Sequence, residues 1–152
     1  LARGAKVIYT TPCSRQYTAG GDGALTDGIR GGWRHGDGRW QGFISRDRLN
    51  VTVDLEREEQ IRAVSADFMQ AAGAEIFLPA EFTIEVSADG EHFTELARRT
   101  NAVTTVPANR IDAFGWEGEA RARYVRCRAT ADPALRGWIF TDEIVVKGVG
   151  EP

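Results

Sequence analysis

Residues 79–93 read Pro79-Ala80-Glu81-Phe82-Thr83-Ile84-Glu85-Val86-Ser87-Ala88-Asp89-Gly90-Glu91-His92-Phe93. From Glu81 to Ser87, polar and apolar residues alternate, so an extended chain places Phe82, Ile84 and Val86 on one face. That is the period of a half-buried strand. Asp89-Gly90 then supplies the residue pair favoured in a tight hairpin turn. The same pattern recurs elsewhere. Asn50 to Leu55 and Ala122 to Thr130 alternate, Ile61 to Met69 is richer in apolar residues, and Ile144 and Val146 share a face in Ile139–Val149. The mixed-sign run Glu56-Arg57-Glu58-Glu59 is expected to form a solvated turn between two of these strands. Gln70 to Ala74 has room for one short helical turn. Many short strands joined by Gly-rich connections predict an all-β sandwich or barrel.

Composition sets outer bounds. The chain has 152 residues, 42% hydrophobic and 27% charged, which suits one domain with its own core. Its formal net charge is −3, without the basic face that nucleic acid demands. No apolar run approaches the ~20 residues of a membrane-spanning helix. Leu1-Ala2-Arg3-Gly4 has neither the pattern of a signal peptide nor an initiator Met, so the chain is expected to be a fragment of a longer protein. Cys127 alternates inward with Val125 and Ala129. It is read as a buried thiol or as the partner of Cys13 in a disulfide; both readings stay open.

Three segments, in order, resemble the discoidin-like domains, also called coagulation factor 5/8 type C domains, and carbohydrate-binding module family 32. The first is Ala24-Leu25-Thr26-Asp27-Gly28, followed by Trp33, Trp40-Gln41-Gly42-Phe43 and Val51-Thr52-Val53-Asp54-Leu55. The second is the Pro79–Phe93 stretch. The third is Ala122-Arg123-Tyr124-Val125-Arg126 with Ile139-Phe140-Thr141-Asp142-Glu143-Ile144-Val145-Val146. The wording from Leu25 to Phe43, with Ile76-Phe77-Leu78-Pro79, is most similar to modules at the C-terminal end of bacterial family 20 β-N-acetylhexosaminidases, the chitobiase-like enzymes. The resemblance implies a jelly-roll, galactose-binding-like β-sandwich of about eight antiparallel strands spanning residues 1–152. It also implies a periplasmic, cell-surface or secreted setting beside a catalytic domain.

The resemblance further implies a structural calcium ion. Asp27 would give a carboxylate, the carbonyls of Ala24 and Arg30 would complete the loop side, and Glu143 would close the site from the last strand. Gly31 and Gly32 stand where the family usually has a Ser or Thr, which removes one hydroxyl ligand. Sugar binding needs an aromatic face for the C–H face of a pyranose and planar polar groups for its hydroxyls. Trp33-Arg34-His35 offers both in one loop, Arg136-Gly137-Trp138 offers another Arg and Trp, and Phe77 ends the loop before Pro79. Against these stand plainer roles. Trp40 is expected in the core, Phe77 is more often core than platform, and Trp138 either meets ligand or packs under the cation loop. Trp116 is a loop aromatic or an edge filler.

Catalysis has no visible basis. No carboxylate pair marks a glycosidase cleft, no serine has a nucleophile-elbow context, and there is no phosphate loop or zinc spacing. His92 reads as a solvated hairpin residue. Three functions follow: a carbohydrate-binding module binding galactose or N-acetylhexosamine sugars for a glycoside hydrolase, a ligand-free accessory domain packed on the catalytic domain, or an adhesion domain for lipid or protein.

Overall fold

A computed structural model describes residues 2–11, 17–19, 21, 23–32, 36, 38–44, 49–101, 109–131 and 137–149. The described residues form seven strands: β1 (Lys6–Thr11), β2 (Gln41–Phe43), β3 (Leu49–Ala71), β4 (Glu81–Ser87), β5 (Thr94–Thr100), β6 (Asn109–Thr130) and β7 (Ile139–Gly148). Every strand pairing is antiparallel. The order is β2-β7-β3-β6-β4-β5, with β1 added to β3.

β3 and β6 are 23 and 22 residues long, and each serves two layers. Their halves around Val53 and Val125 pair with β1 and β4 respectively. The two long strands pair with each other along both halves, and beyond a bulge β3 continues the sheet through β7 to β2. This is a discoidin-like all-β sandwich, and among the described residues β3 and β6 are each long enough to count twice. The layers meet in an aromatic cluster. The Phe82 ring of β4 lies 5.3 Å from Phe68 of β3 and 6.1 Å from Phe114 of β6. Around it pack Leu49, Val51, Ile61, Val125 and Ile144, none of them accessible to solvent.

The expected turn at 56–59 is a correction. These residues lie inside β3, where the register with β6 shifts between Asp54 and Glu59 and Glu56 has φ 72°. A bulge absorbs extra residues without ending the strand and lets it swing between layers. Exposed charge at positions 56–58 is therefore compatible with a continuous strand. The short helical turn is present as a 3-10 turn at Ala72–Ala74.

Cys127 is a free thiol with no solvent exposure, and burial pushes its pKa up to about 12. Cys13 lies outside the described residues. On the outer face of the β4–β6 region, carboxylates are matched by arginines. Arg126 donates to both oxygens of Glu85 at 3.1 and 2.9 Å, and Arg123 to both oxygens of Asp54 at 2.9 and 3.0 Å.

Candidate functional site

Two regions hold the described residues that the sequence singled out. The first is the loop through Ala24–Thr26, a 3-10 turn whose three residues are buried. Thr26 fastens it: its Oγ1 donates to the Ala5 carbonyl at 2.7 Å, and its own carbonyl accepts from Gly4 N–H at 2.6 Å. Beyond the turn, the loop lies against β7. Gly28 N–H donates to Glu143 Oε2 at 2.8 Å, and Gly31 N–H donates to Asp142 Oδ2 at 2.7 Å. Gly31 must be glycine, because a Cβ there would collide with the Trp40 indole, whose Nε1 donates to the Gly32 carbonyl at 3.0 Å. Trp40 is 1% exposed and is the core residue expected of it.

Asp142 and Glu143 are adjacent on a strand, so one would be expected inward and the other outward. Both are buried, at 2% and 5% exposure, because the loop covers the outer face of β7. One oxygen of each takes a loop N–H; the other, Asp142 Oδ1 and Glu143 Oε1, is buried with no hydrogen-bond partner. Burial outweighs the one loop N–H and the charge of Arg30, and raises the pKa of both. Asp142 goes to about 6, chiefly by desolvation, with Asp67 adding to the rise and the Gly31 N–H and Arg30 opposing it. Glu143 goes to about 7, again by desolvation first, with Asp27 and Asp142 adding to it and the Gly28 N–H and Arg30 opposing.

Of the four residues implied as cation ligands, Ala24, Asp27 and Glu143 come together around this loop. The Ala24 carbonyl accepts from Asp27 N–H at 3.5 Å, and exposed Asp27 uses Oδ1 to accept from Ile29 N–H at 2.8 Å. The Arg30 side chain pairs with Asp67 of β3. Asp142 was missed by sequence reading. Its only signal is its place beside Glu143, which alternation assigns to opposite faces. The donor set of hard oxygens, with two buried oxygens unpartnered, fits a cation such as calcium. Among the described residues, the group with three ligand atoms within 4.8 Å is elsewhere, at Asp89, Glu91 and His92, all three exposed.

The second region is an aromatic end. Trp138 and Phe77 are brought side by side by backbone pairing: Phe77 N–H donates to the Trp138 carbonyl at 3.0 Å, and Trp138 N–H to the Glu75 carbonyl at 2.8 Å. Gly137 permits this approach, since a Cβ there would strike the Glu75 carbonyl oxygen. Both aromatics are half-buried. Trp138 packs edge-on against Tyr17, centroids 5.2 Å apart, and against Phe140 at 5.8 Å. Trp40, rather than Trp138, is the indole seated against the Gly28–Gly32 loop. Tyr17 was not anticipated, because it stands outside any alternating run. Trp33, Arg34, His35 and Arg136 lie outside the described residues. Trp116 is half-buried on β6, over Gly118, as an edge filler would be. His92 is exposed, its Nδ1 2.7 Å from Asp89 Oδ2.

The family model for the F5/8 type C domain matches residues 10–144. The chain belongs to the F5/8 type C domain family. The curated proteins hold no match to it. Among solved structures, this F5/8 type C domain is similar to the module CpGH89CBM32-5 from Clostridium perfringens, seen in complex with GalNAc-β-1,3-galactose. There the TM-score is 0.65 at 14% identity, with 94% of each chain covered. It is similar also to chitosan-binding module 2 of a chitosanase/glucanase from Paenibacillus sp. IK-5, in complex with chitotriose. That likeness has a TM-score of 0.57 at 17% identity, over 97% of this chain and 98% of that one. With SpGH29 the TM-score is 0.64 at 14% identity, covering 99% of this chain but spanning only 28% of the other. These likenesses establish a shared fold. Among the described residues, no helix is long and apolar enough to cross a membrane.

Proposed function

We propose that this domain is a non-catalytic carbohydrate-binding module that binds galactose or N-acetylhexosamine units at the aromatic end of the sandwich. The observation that carries the reading is the Phe77–Trp138 pair, two half-buried aromatics locked together by backbone hydrogen bonds at a family domain's loop end. A rigid aromatic platform suits the apolar face of a pyranose and loses little side-chain entropy on binding. Arg136, one residue before Gly137-Trp138, and the Trp33-Arg34-His35 loop would supply the polar forks for hydroxyls. Sugar-bound relatives with the same fold support the reading.

The wider context belongs to the same proposal. The module would serve a glycoside hydrolase, of the β-N-acetylhexosaminidase kind, in a periplasmic, cell-surface or secreted setting. A single shallow sugar site binds weakly, roughly tens of micromolar to millimolar. Tethering still raises local substrate concentration for the attached enzyme. A calcium ion held by Asp142, Glu143, Asp27 and the carbonyls of Ala24 and Arg30 would fix the loop against β7.

A glycan array with the isolated domain in calcium tests this, followed by titration with galactose, N-acetylgalactosamine and N-acetylglucosamine. Saturable binding that Phe77→Ala and Trp138→Ala each weaken about tenfold or more, with folding retained, is the expected result. Silence across the array would overturn it in favour of a ligand-free accessory domain.

A further inference from the structure

A groove of about 410 Å³ lies away from both regions, across β6, β3 and β7. Its floor is made of small residues. Ala113 and Gly115 of β6, Ala63 and Ser65 of β3, and Val145 of β7 occupy alternate positions on three adjacent strands, and so share one sheet face. The pairings run Gly115–Ser65–Val145 in one row and Glu117–Ala63–Lys147 in the next. Strand spacing sets the groove at roughly 10 Å between the Glu117 and Lys147 backbones and roughly 13 Å from Ala113 to Glu117. That length suits a run of linked rings more than a single ring.

The rim carries charge of both signs. Among the described residues, Glu117, Lys147 and Arg99 make no ion pair within 4.0 Å. Arg99 is held over the Phe114 ring, 4.0 Å from its centroid, and donates to the Ala113 carbonyl at 3.4 Å. Lys and Arg only donate hydrogen bonds and a carboxylate only accepts them, whereas a sugar hydroxyl does both. A rim offering both kinds matches vicinal hydroxyls. An anion would meet Glu117, and a cation would meet Lys147 and Arg99. Among the described residues, the exposed large apolar ones, Ile8, Ile29, Ile44 and Val149, line none of it, and its large apolar lining is limited to Val64, Val145 and half-buried Trp116, less than the patch that a protein partner fills.

We infer that this sheet face is a second saccharide site, taking a neutral stretch of two or three linked sugar units from the interior of a glycan chain. The inference rests on the sugar-binding reading above but uses none of the residues of the aromatic end. The two sites divide the work: the aromatic end takes one sugar ring and the sheet face takes chain.

The test is an amide and indole NMR titration of the whole domain with triacetylchitotriose and globotriose, and with N-acetylglucosamine and galactose alone. The trisaccharides should shift Ser65, Lys147 and the Trp116 indole, and the monosaccharides should not. Ala113→Tyr, which fills an exposed part of the floor, should remove those shifts and leave Phe77 and Trp138 responding. Replacing Glu117 and Lys147 together with Ala should weaken trisaccharide binding about tenfold and leave monosaccharide binding unchanged. Trisaccharide shifts confined to Phe77 and Trp138, or groove shifts indifferent to Ala113→Tyr, would overturn the second site alone. An absence of shifts anywhere would overturn the sugar-binding reading, and the groove with it.

Discussion

Glu143 on β7 and Glu85 on β4 are the same side chain in one sandwich, and their acidities move in opposite directions. Glu85 faces outward under Arg126 and Arg128, and its side chain keeps 13% exposure. The Arg126 hydrogen bonds hold its pKa below the usual carboxylate value, outweighing desolvation. Glu143 is more deeply buried, at 5% exposure, and receives one backbone N–H and no guanidinium hydrogen bond. Burial then wins and lifts it to about 7. A carboxylate's neighbours, weighed against its depth, decide whether it stabilises a fold or strains it. The matched carboxylate belongs to the scaffold. The unmatched pair, Asp142 and Glu143, is the part of the molecule on which the calcium proposal rests.

The largest effect expected breaks that comparison by supplying the partner. On the calcium proposal, calcium at a hundred times its dissociation constant stabilises the domain by about 2.7 kcal/mol. For a chain of this size that raises Tm by about 5 to 10 °C. Glu143→Gln should abolish the response while leaving the calcium-free Tm unchanged or higher, since a neutral amide avoids the cost of a buried charge. Thermal scans with calcium and with chelator decide it. A wild-type Tm indifferent to calcium would leave Glu143 a strained residue with no cation to explain it.

The scaffold was far more legible in the sequence than the site. Alternation placed Phe82, Ile84, Val86 and Cys127 inward, and all are buried. It failed at positions 56–59, because a non-glycine bulge at φ 72° leaves the same polar signature as a turn. It also failed at Asp142. Alternation assumes one wet face, and β7 from Ile139 to Ile144 is buried on both, by the core and by the loop laid over it. Tyr17 and the Arg30–Asp67 pair join residues distant in sequence, and nothing local announces them. The groove on β6, β3 and β7 is likewise a property of three registers together.

A middle-sized effect sharpens the comparison from its matched side. Arg126→Met removes two charge-assisted hydrogen bonds to Glu85 and a guanidinium 3.9 Å from the Phe93 centroid. It should cost about 1 to 3 kcal/mol at pH 7, read from urea denaturation. Because folding lowers the Glu85 pKa, its contribution is complete above the unfolded value of 4.5 and is lost as pH falls through the folded one. The gap between wild type and variant should therefore narrow below about pH 4.5. A gap constant from pH 7 to pH 3 would mean that the arginine acts by packing alone.

The smallest effect comes from the most exposed member of the series, the Asp89–His92 pair. His92 is 86% exposed at its side chain, and its pKa is raised by the Asp89 hydrogen bond and charge. Asp89 is lowered first by the His92 backbone N–H, then by the His92 ring and other donors, so it is already ionised at pH 5. A raised histidine stabilises fully below its unfolded pKa of 6.5 and loses that contribution as pH rises through the folded value. His92→Ala should thus lower Tm slightly at pH 5 and not at all at pH 9, with water and salt screening most of the attraction. The backbone N–H bonds from Glu91 and His92 to Asp89 Oδ1 survive that substitution, so the hairpin itself should persist. An equal loss at both pH values would place the imidazole's role in packing rather than charge. The solvated carboxylate would then join neither side of the contrast between Glu85 and Glu143.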